Sequence, residues 1–439
     1  MGRLQQIAAA LVMCAAAGAA PAAEHPLSDA TIQVRYADPS ARQITARGRW
    51  LGSLPSGGPF TGATLRVAGA FGEGGTAVIA LRGDAWRALP NGRGFRYVDR
   101  SGAAGGIRSI LVRAGRGGRP GVLRISGGGV DYDRRAPHTR LRMALEIGLD
   151  RWCAATVAPI DDGSRIAGAS AAAPAACPPD IVVDTAWLQA RLGRPDIQLV
   201  DSRATFSGGH IPGALALRPE ALATTVDGVD VQMMPPALAG PVLSAAGVRR
   251  EATVVVYGAP PEYDPARLTW ALHYLGHPDV RYLDGGFAAW VAAGGSVASG
   301  APPAAPPTSY VADATRAVRV TGAEVLGQLG APPYDMPLIG LVDARSPGEF
   351  AAGRIPSAVF RPWTANLAGG LLRPRSELED EHAALGLAPG RTTVAYCLVG
   401  WRASVAWLTL HWLGFDDARV YDGSWLEWGS GGFPIEPGP

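Results

Sequence analysis

The chain has 439 residues, enough for about three domains of roughly 150 residues each, so a single motif cannot account for all of it. Its 40 basic side chains are all arginine, since no lysine occurs, and against 38 acidic residues they leave a formal charge of +2. Schiff-base lysine chemistry is thereby excluded, the near-neutral balance argues against a dedicated nucleic-acid binder, and a hydrophobic content of 47% excludes a disordered chain.

Residues 1–23 begin with Arg3, continue through an apolar run from Ile7 to Ala20 and end in the small residues Ala20, Pro21, Ala22 and Ala23. That order predicts a secretory signal cleaved near Ala22 or Ala23. The run is too short for a membrane span, which needs about 20 apolar residues. Met13 ahead of Cys14 fits a lipoprotein signal poorly. A periplasmic or secreted protein without a membrane span is therefore expected. Cleavage would leave Cys153, Cys177 and Cys397, an odd number, so one thiol lacks an internal partner. Cys153 and Cys177 flank a stretch rich in glycine, alanine and proline; spacing alone leaves open a bridge between them or two buried thiols.

From residue 24 to 157 short period-two runs alternate with glycine: Thr31 to Tyr36, Thr64 to Ala70, Ile107 to Ala114, Val122 to Ser126 and Leu141 to Ile147. They predict an all-β domain, a sandwich or a barrel. Between Arg93 and Arg124 the arginines recur with Asp99 as the lone acid, which suits either a solvated face or an anion-binding surface. No catalytic constellation stands out there. Low-periodicity stretches at 158–179 and 294–309, the second containing Ala301 to Pro307, read as linkers. They set off two units, 180–293 and 310–439.

The two units repeat one another. Leu199 to Arg203 matches Leu341 to Arg345, His210 to Ala214 matches Arg354 to Ala358, Val256 to Gly258 matches Ala395 to Cys397, and Asp284, Gly285 and Trp290 match Asp422, Gly423 and Trp428. In the second unit Leu338 to Val342 and Thr392 to Tyr396 are apolar strand runs, and Ala403 to Leu413 has helical spacing. This alternation predicts α/β units with parallel sheets covered by helices, whose sites lie where strands end and helices begin.

Cys397 falls at such a junction. The segment from Val394 to Ser404 predicts a strand, a tight loop and a helix start. There the inward N–H groups, the helix dipole and Arg402 would hold a thiolate, and Gly400 would let the backbone curl. The expected result is an ionised nucleophile open to solvent on the floor of an anion cradle; the whole reading hangs on it, and a side chain sealed off from solvent would overturn that reading.

These residues resemble the tandem-domain rhodaneses, the thiosulfate and 3-mercaptopyruvate sulfurtransferases. The resemblance rests on Val342 to Arg345 with Arg354 to Ala358, on the loop from Cys397 to Arg402, and on Tyr421 to Trp425 with Trp428. It covers the last 260 or so residues and not the β domain. It implies that Cys397 takes a sulfane sulfur from a small donor, forms a persulfide and passes the sulfur to cyanide or a thiol, with Leu398, Val399, Gly400, Trp401 and Arg402 around the substrate. Such a double displacement requires no metal or organic cofactor. Asp343 and Arg345 read as supporting residues, Arg345 as a structural ion-pair partner.

Phosphatases and arsenate reductases that share this fold use a Cys-x5-Arg loop. The Cys-x4-Arg spacing here makes a smaller ring, better suited to a sulfur atom. Thiosulfate enzymes of the family carry basic residues at the positions held here by Leu398 and Glu349, and mercaptopyruvate enzymes carry small polar residues after the cysteine. Thiosulfate is therefore the default donor, with a less charged persulfide or polysulfide as the variant. The first unit has Gly258 in place of the cysteine, with Pro260 and Pro261 opposite Val399 and Gly400, and is expected to be inactive. The alternative is an exported binding or adaptor protein, whose β domain attaches to a surface or protein partner and whose α/β pair carries sulfur or is vestigial.

Overall fold

The computed structural model describes residues 24–35, 42–54, 62–69, 77–129, 140–147, 150–162, 164–170, 174, 180–302, 306–312, 316–334 and 337–438. The expected signal segment, Cys14 and Cys177 lie outside this set. Cys153 is disulfide-bonded, with a partner outside the described residues, while Cys397 is a free thiol. Among the described residues no helix is long and apolar enough to cross a membrane.

The N-terminal region is all β, as its alternating pattern predicts. One twelve-stranded sheet runs from an edge at Ala77–Leu81 through Ala63–Ala68, Arg140–Ile147, Asp150–Asp161, Arg165–Ser170, Ser28–Arg35, Gln43–Trp50, Gly121–Gly128, Ile107–Arg113 and Gly94–Val98 to Trp86–Ala88. Glu24–Pro26 joins it in parallel with Asp150–Asp161. Along Gln43–Trp50 burial alternates strictly, so Ile44, Ala46 and Trp50 enter one core with Trp86, Ile110, Leu145 and Trp152 while Thr45 and Arg47 face the other way. The expected linker at 158–179 needs correction over its first half. The strands Asp150–Asp161 and Arg165–Ser170 carry the sheet through to residue 170, the latter pairing with Ser28–Arg35. Arg165–Ser170 is mostly small residues on a half-covered face, so it lacks the large apolar alternation that marks a strand in sequence.

The two α/β units share one topology. In the first, Val182–Val183, Val280–Leu283, Thr253–Tyr257, Ile197–Asp201 and Leu215–Ala216 lie side by side; in the second, Arg319–Val320, Ala418–Tyr421, Thr393–Tyr396, Gly340–Asp343 and Val359–Phe360 do so in the corresponding order. All neighbouring pairs are parallel. The central strands are buried throughout, as helices on both faces require. Helix Asp264–Tyr274 of the first unit packs on helix Trp401–Leu413 of the second within one continuous core. The second helix is bounded by Gly400 and Gly414, at φ +80° and +96°, conformations that favour glycine.

Candidate active site

Cys397 follows strand Thr393–Tyr396 and precedes helix Trp401–Leu413, the junction expected from sequence. Its N–H donates to Ser424 Oγ at 3.1 Å, and Ser424 Oγ donates in turn to the Tyr421 carbonyl at 2.7 Å. The carbonyls of Cys397 and Leu398 accept from the N–H groups of Trp425 and Leu426 at 3.0 and 2.9 Å. The loop is thus fixed from behind by the start of helix Ser424–Trp428. Among the described residues, the N–H groups of Leu398, Val399, Gly400 and Trp401 donate to no acceptor, which leaves them for an anion. Gly400 is required twice over, because a Cβ there would sit 2.6 Å from Asp422 Oδ1 and its φ is +80°.

Arg402 points to the loop but is not a free cation. Its two terminal nitrogens donate to both oxygens of Glu349, each at 2.7 Å. This bidentate pair, with Ser346 donating to the same carboxylate, holds Glu349 down to about 2. The guanidinium of Arg402 is raised by Glu349 first, and also by Cys397. Glu349 doubles as the third residue of helix Pro347–Ala352 in a capping box with Ser346. The Ser-Pro-Gly-Glu order of that box was legible in sequence; the pairing across the loop to Arg402 was not.

Asp343 and Arg345 form the structural clamp anticipated for them. Arg345 donates to Asp343 Oδ2 and to the Gly353 carbonyl at 2.6 Å each, and lies over the Trp425 ring at 4.2 Å. Asp343 also accepts from the Tyr396 hydroxyl at 2.6 Å, and that hydroxyl accepts from the Ile355 N–H. Both charged groups are buried and mutually satisfied.

The first unit covers the site. Trp401 donates its indole N–H to the Val231 carbonyl at 3.2 Å, and Tyr263 meets Trp401 and Trp363 edge-on. Arg267 donates to Asp422 Oδ1, and the Met233 N–H donates to Asp422 Oδ2, both at 2.7 Å. Asp422 marks a repeat match in sequence, yet its bond to the opposite unit could not be read there. In the first unit's own loop, a Cβ on Gly258 would lie 2.8 Å from Pro265 Cδ and 2.9 Å from Ser202 Oγ, so there is no space for a cysteine side chain. Pro260 and Pro261 withhold two donors as well.

One expectation fails. Cys397 was to be open to solvent, and it is 0% exposed. The backbone around it is held by the Ser424 turn. Leu398, 43% exposed, stands at the surface beside it. Among the described residues no group of acids, histidines or cysteines could hold a metal ion.

Fold and site together define a duplicated parallel α/β protein with a cysteine in the strand-to-helix loop of its second unit only. The chain belongs to the rhodanese family: the Rhodanese-like domain matches residues 184–293 and 321–430, one match in each unit. It is 35% identical over 287 residues to the thiosulfate sulfurtransferase of Corynebacterium glutamicum, a match that covers 59% of this chain and 91% of that one. Among solved structures it resembles SseA from Escherichia coli, described as a 3-mercaptopyruvate sulfotransferase, with TM-score 0.51 and 25% identity over 56% of this chain and 99% of that one. The anaerobic ergothioneine biosynthesis enzyme of Chlorobium limicola shares the fold, with TM-score 0.52 and 24% identity over 59% of this chain and 71% of that one. The chain is accordingly a sulfurtransferase, and its β domain lies outside the family match.

Proposed function

We propose that Cys397 is the sulfur carrier and that the reaction is a double displacement. The thiolate attacks the sulfane sulfur of the donor, forming the Cys397 persulfide as the donor's S–S bond breaks; with thiosulfate the leaving group is sulfite. Cyanide or a thiolate then attacks the outer sulfur, and the Cys397 thiolate departs. A persulfide anion spreads its charge over two sulfurs, and the loop N–H groups from Leu398 to Trp401 with Arg402 can hold it. The observation that carries the proposal is Cys397 at the strand-to-helix junction, followed by four loop N–H groups without an acceptor and by Arg402.

The donor preference follows from Glu349. It neutralises Arg402 on the loop flank, and Leu398 and Val399 are apolar, so the entrance offers little net positive charge to a dianion. A less charged donor such as cysteine persulfide, a net monoanion, fits this entrance better than thiosulfate. Initial rates with each donor, using cyanide as acceptor, test the point: kcat/KM is expected to be higher for the persulfide, and a clear preference for thiosulfate would contradict it. Export to the periplasm or the medium rests on the residue order of 1–23. Fractionation of cells expressing the full chain tests that, a cytoplasmic product being the contrary outcome.

A further inference from the structure

The β domain carries a trough of about 1100 Å³ on the face of the sheet opposite its core. Strand register places one row of side chains across it. Thr31 lies opposite Arg47, Arg47 opposite Arg124, Arg124 opposite Leu111, and Leu111 opposite Arg96. Directly opposed like charges such as Arg47 and Arg124 destabilise a sheet, and among the described residues no aspartate or glutamate lines the trough to offset them. Arg47 is fixed by a bond from Nε to Thr31 Oγ1 at 3.1 Å, and Arg96 and Arg124 have no ion-pair partner among the described residues. Elsewhere in the chain Arg151, Arg203, Arg281, Arg345 and Arg402 are all paired with carboxylates. The arginine run seen in sequence is therefore divided by the pleat, with Arg96 and Arg124 joined by Arg47 from a distant segment.

A second row lies one pleat further along the strands. Gln33 stands opposite Thr45, Thr45 opposite Ser126, and Ser126 opposite Ser109, so amide and hydroxyl groups run beside the guanidiniums. Among the described residues no aromatic side chain lines the trough to offer the stacking platform that single-stranded nucleic acids use.

We propose that this trough binds a linear acidic oligosaccharide. Arg47 and Arg124 on adjacent strands would hold one anionic group and Arg96, two strands further, a second about 10 Å away. The hydroxyl and amide row would bond the neutral sugar hydroxyls between them. The site is separate from Cys397 and does not depend on the sulfur-transfer proposal.

The test titrates the full-length protein with a fluorescent heparin-derived hexasaccharide, using maltohexaose as the neutral counterpart. Saturable binding of the sulfated probe is expected, weakened at least about tenfold at roughly 0.3 M salt, with no binding of maltohexaose. Arg47→Gln with Arg124→Gln should lower affinity at least about tenfold, and Arg96→Gln several-fold, because each removes an unscreened cation from the trough. Arg116→Gln with Arg119→Gln, in an exposed turn outside the trough, should change little. Relief of like-charge repulsion should leave Tm of the Arg124→Gln protein unchanged or higher, so lost binding would not reflect unfolding. Absence of binding, equal binding of maltohexaose, or equal loss in the Arg116/Arg119 protein would overturn the proposal. Thiocyanate formation should be the same in all these variants.

Discussion

The two α/β units differ far less in scaffold than in loop. Each has the same clamp: Asp201, Arg203 and the Gly209 carbonyl in the first, Asp343, Arg345 and the Gly353 carbonyl in the second, with Arg203 over Phe287 as Arg345 lies over Trp425. Each also reaches across to the other. Asp284 accepts from the Leu372 N–H as Asp422 accepts from the Met233 N–H. What separates them is that Gly258 lies against Pro265 and Ser202 where the second unit carries Cys397, and that Asp422 has Arg267 where, among the described residues, Asp284 has no guanidinium bonded to it. Duplication preserved the fold, and the first unit supplies contacts to the cysteine-bearing one through Val231, Met233 and Arg267.

The sharpest way to break this comparison is to exchange the loop residues. Cys397→Ser should abolish thiocyanate formation, and Gly258→Cys should not restore it while costing about 1–3 kcal/mol through overpacking. Sulfur transfer surviving in Cys397→Ser would move the site elsewhere. The interface comes next. Arg267→Leu strips a fully buried carboxylate of its shortest ion pair, leaving Arg319 at 3.4 Å, and should destabilise the protein by about 3 kcal/mol in denaturant titration.

Asp284 should behave in the opposite sense. Burial pushes its carboxyl from the usual 3.8 up to about 6. Its native form thus prefers the proton, so its contribution to stability is complete below the unfolded value and is lost as pH rises through about 6. Asp284→Asn should be more stable than the parent by about 2 kcal/mol near neutral pH, the difference vanishing toward pH 4. An equal loss in both variants would show that the two anchors are equivalent. Smallest is Glu349→Gln, which should cost about 1 kcal/mol, since the pair is partly exposed. That stabilisation is complete above the usual 4.5 and fades as pH falls toward about 2. Freed of its partner, Arg402 should raise the rate with thiosulfate several-fold, and an unchanged rate would remove Glu349 from donor selection.

Much of this was legible in the chain because it is local. The Asp-x-Arg clamp and the strand-loop-helix at Cys397 rest on residues close in sequence or repeated at a near-constant offset. The contacts that shape the mouth are not local. Trp401 with Val231, Asp422 with Arg267, and Arg402 with Glu349 join segments 53 to 170 residues apart, and no periodicity encodes them. The same holds for Arg47 beside Arg124, which only sheet register brings together. The sealed thiol was missed because the sequence shows where a strand ends but not how the segments around it pack.

Whether the buried sulfur works is decided by peptide mass spectrometry of Cys397 after exposure to cysteine persulfide and then to cyanide. The account predicts that the Cys397 peptide gains the mass of one sulfur atom and loses it to cyanide as thiocyanate appears. Thiocyanate produced while that peptide stays unmodified, or a donor that never marks it, would contradict the assignment of Cys397 as the carrier.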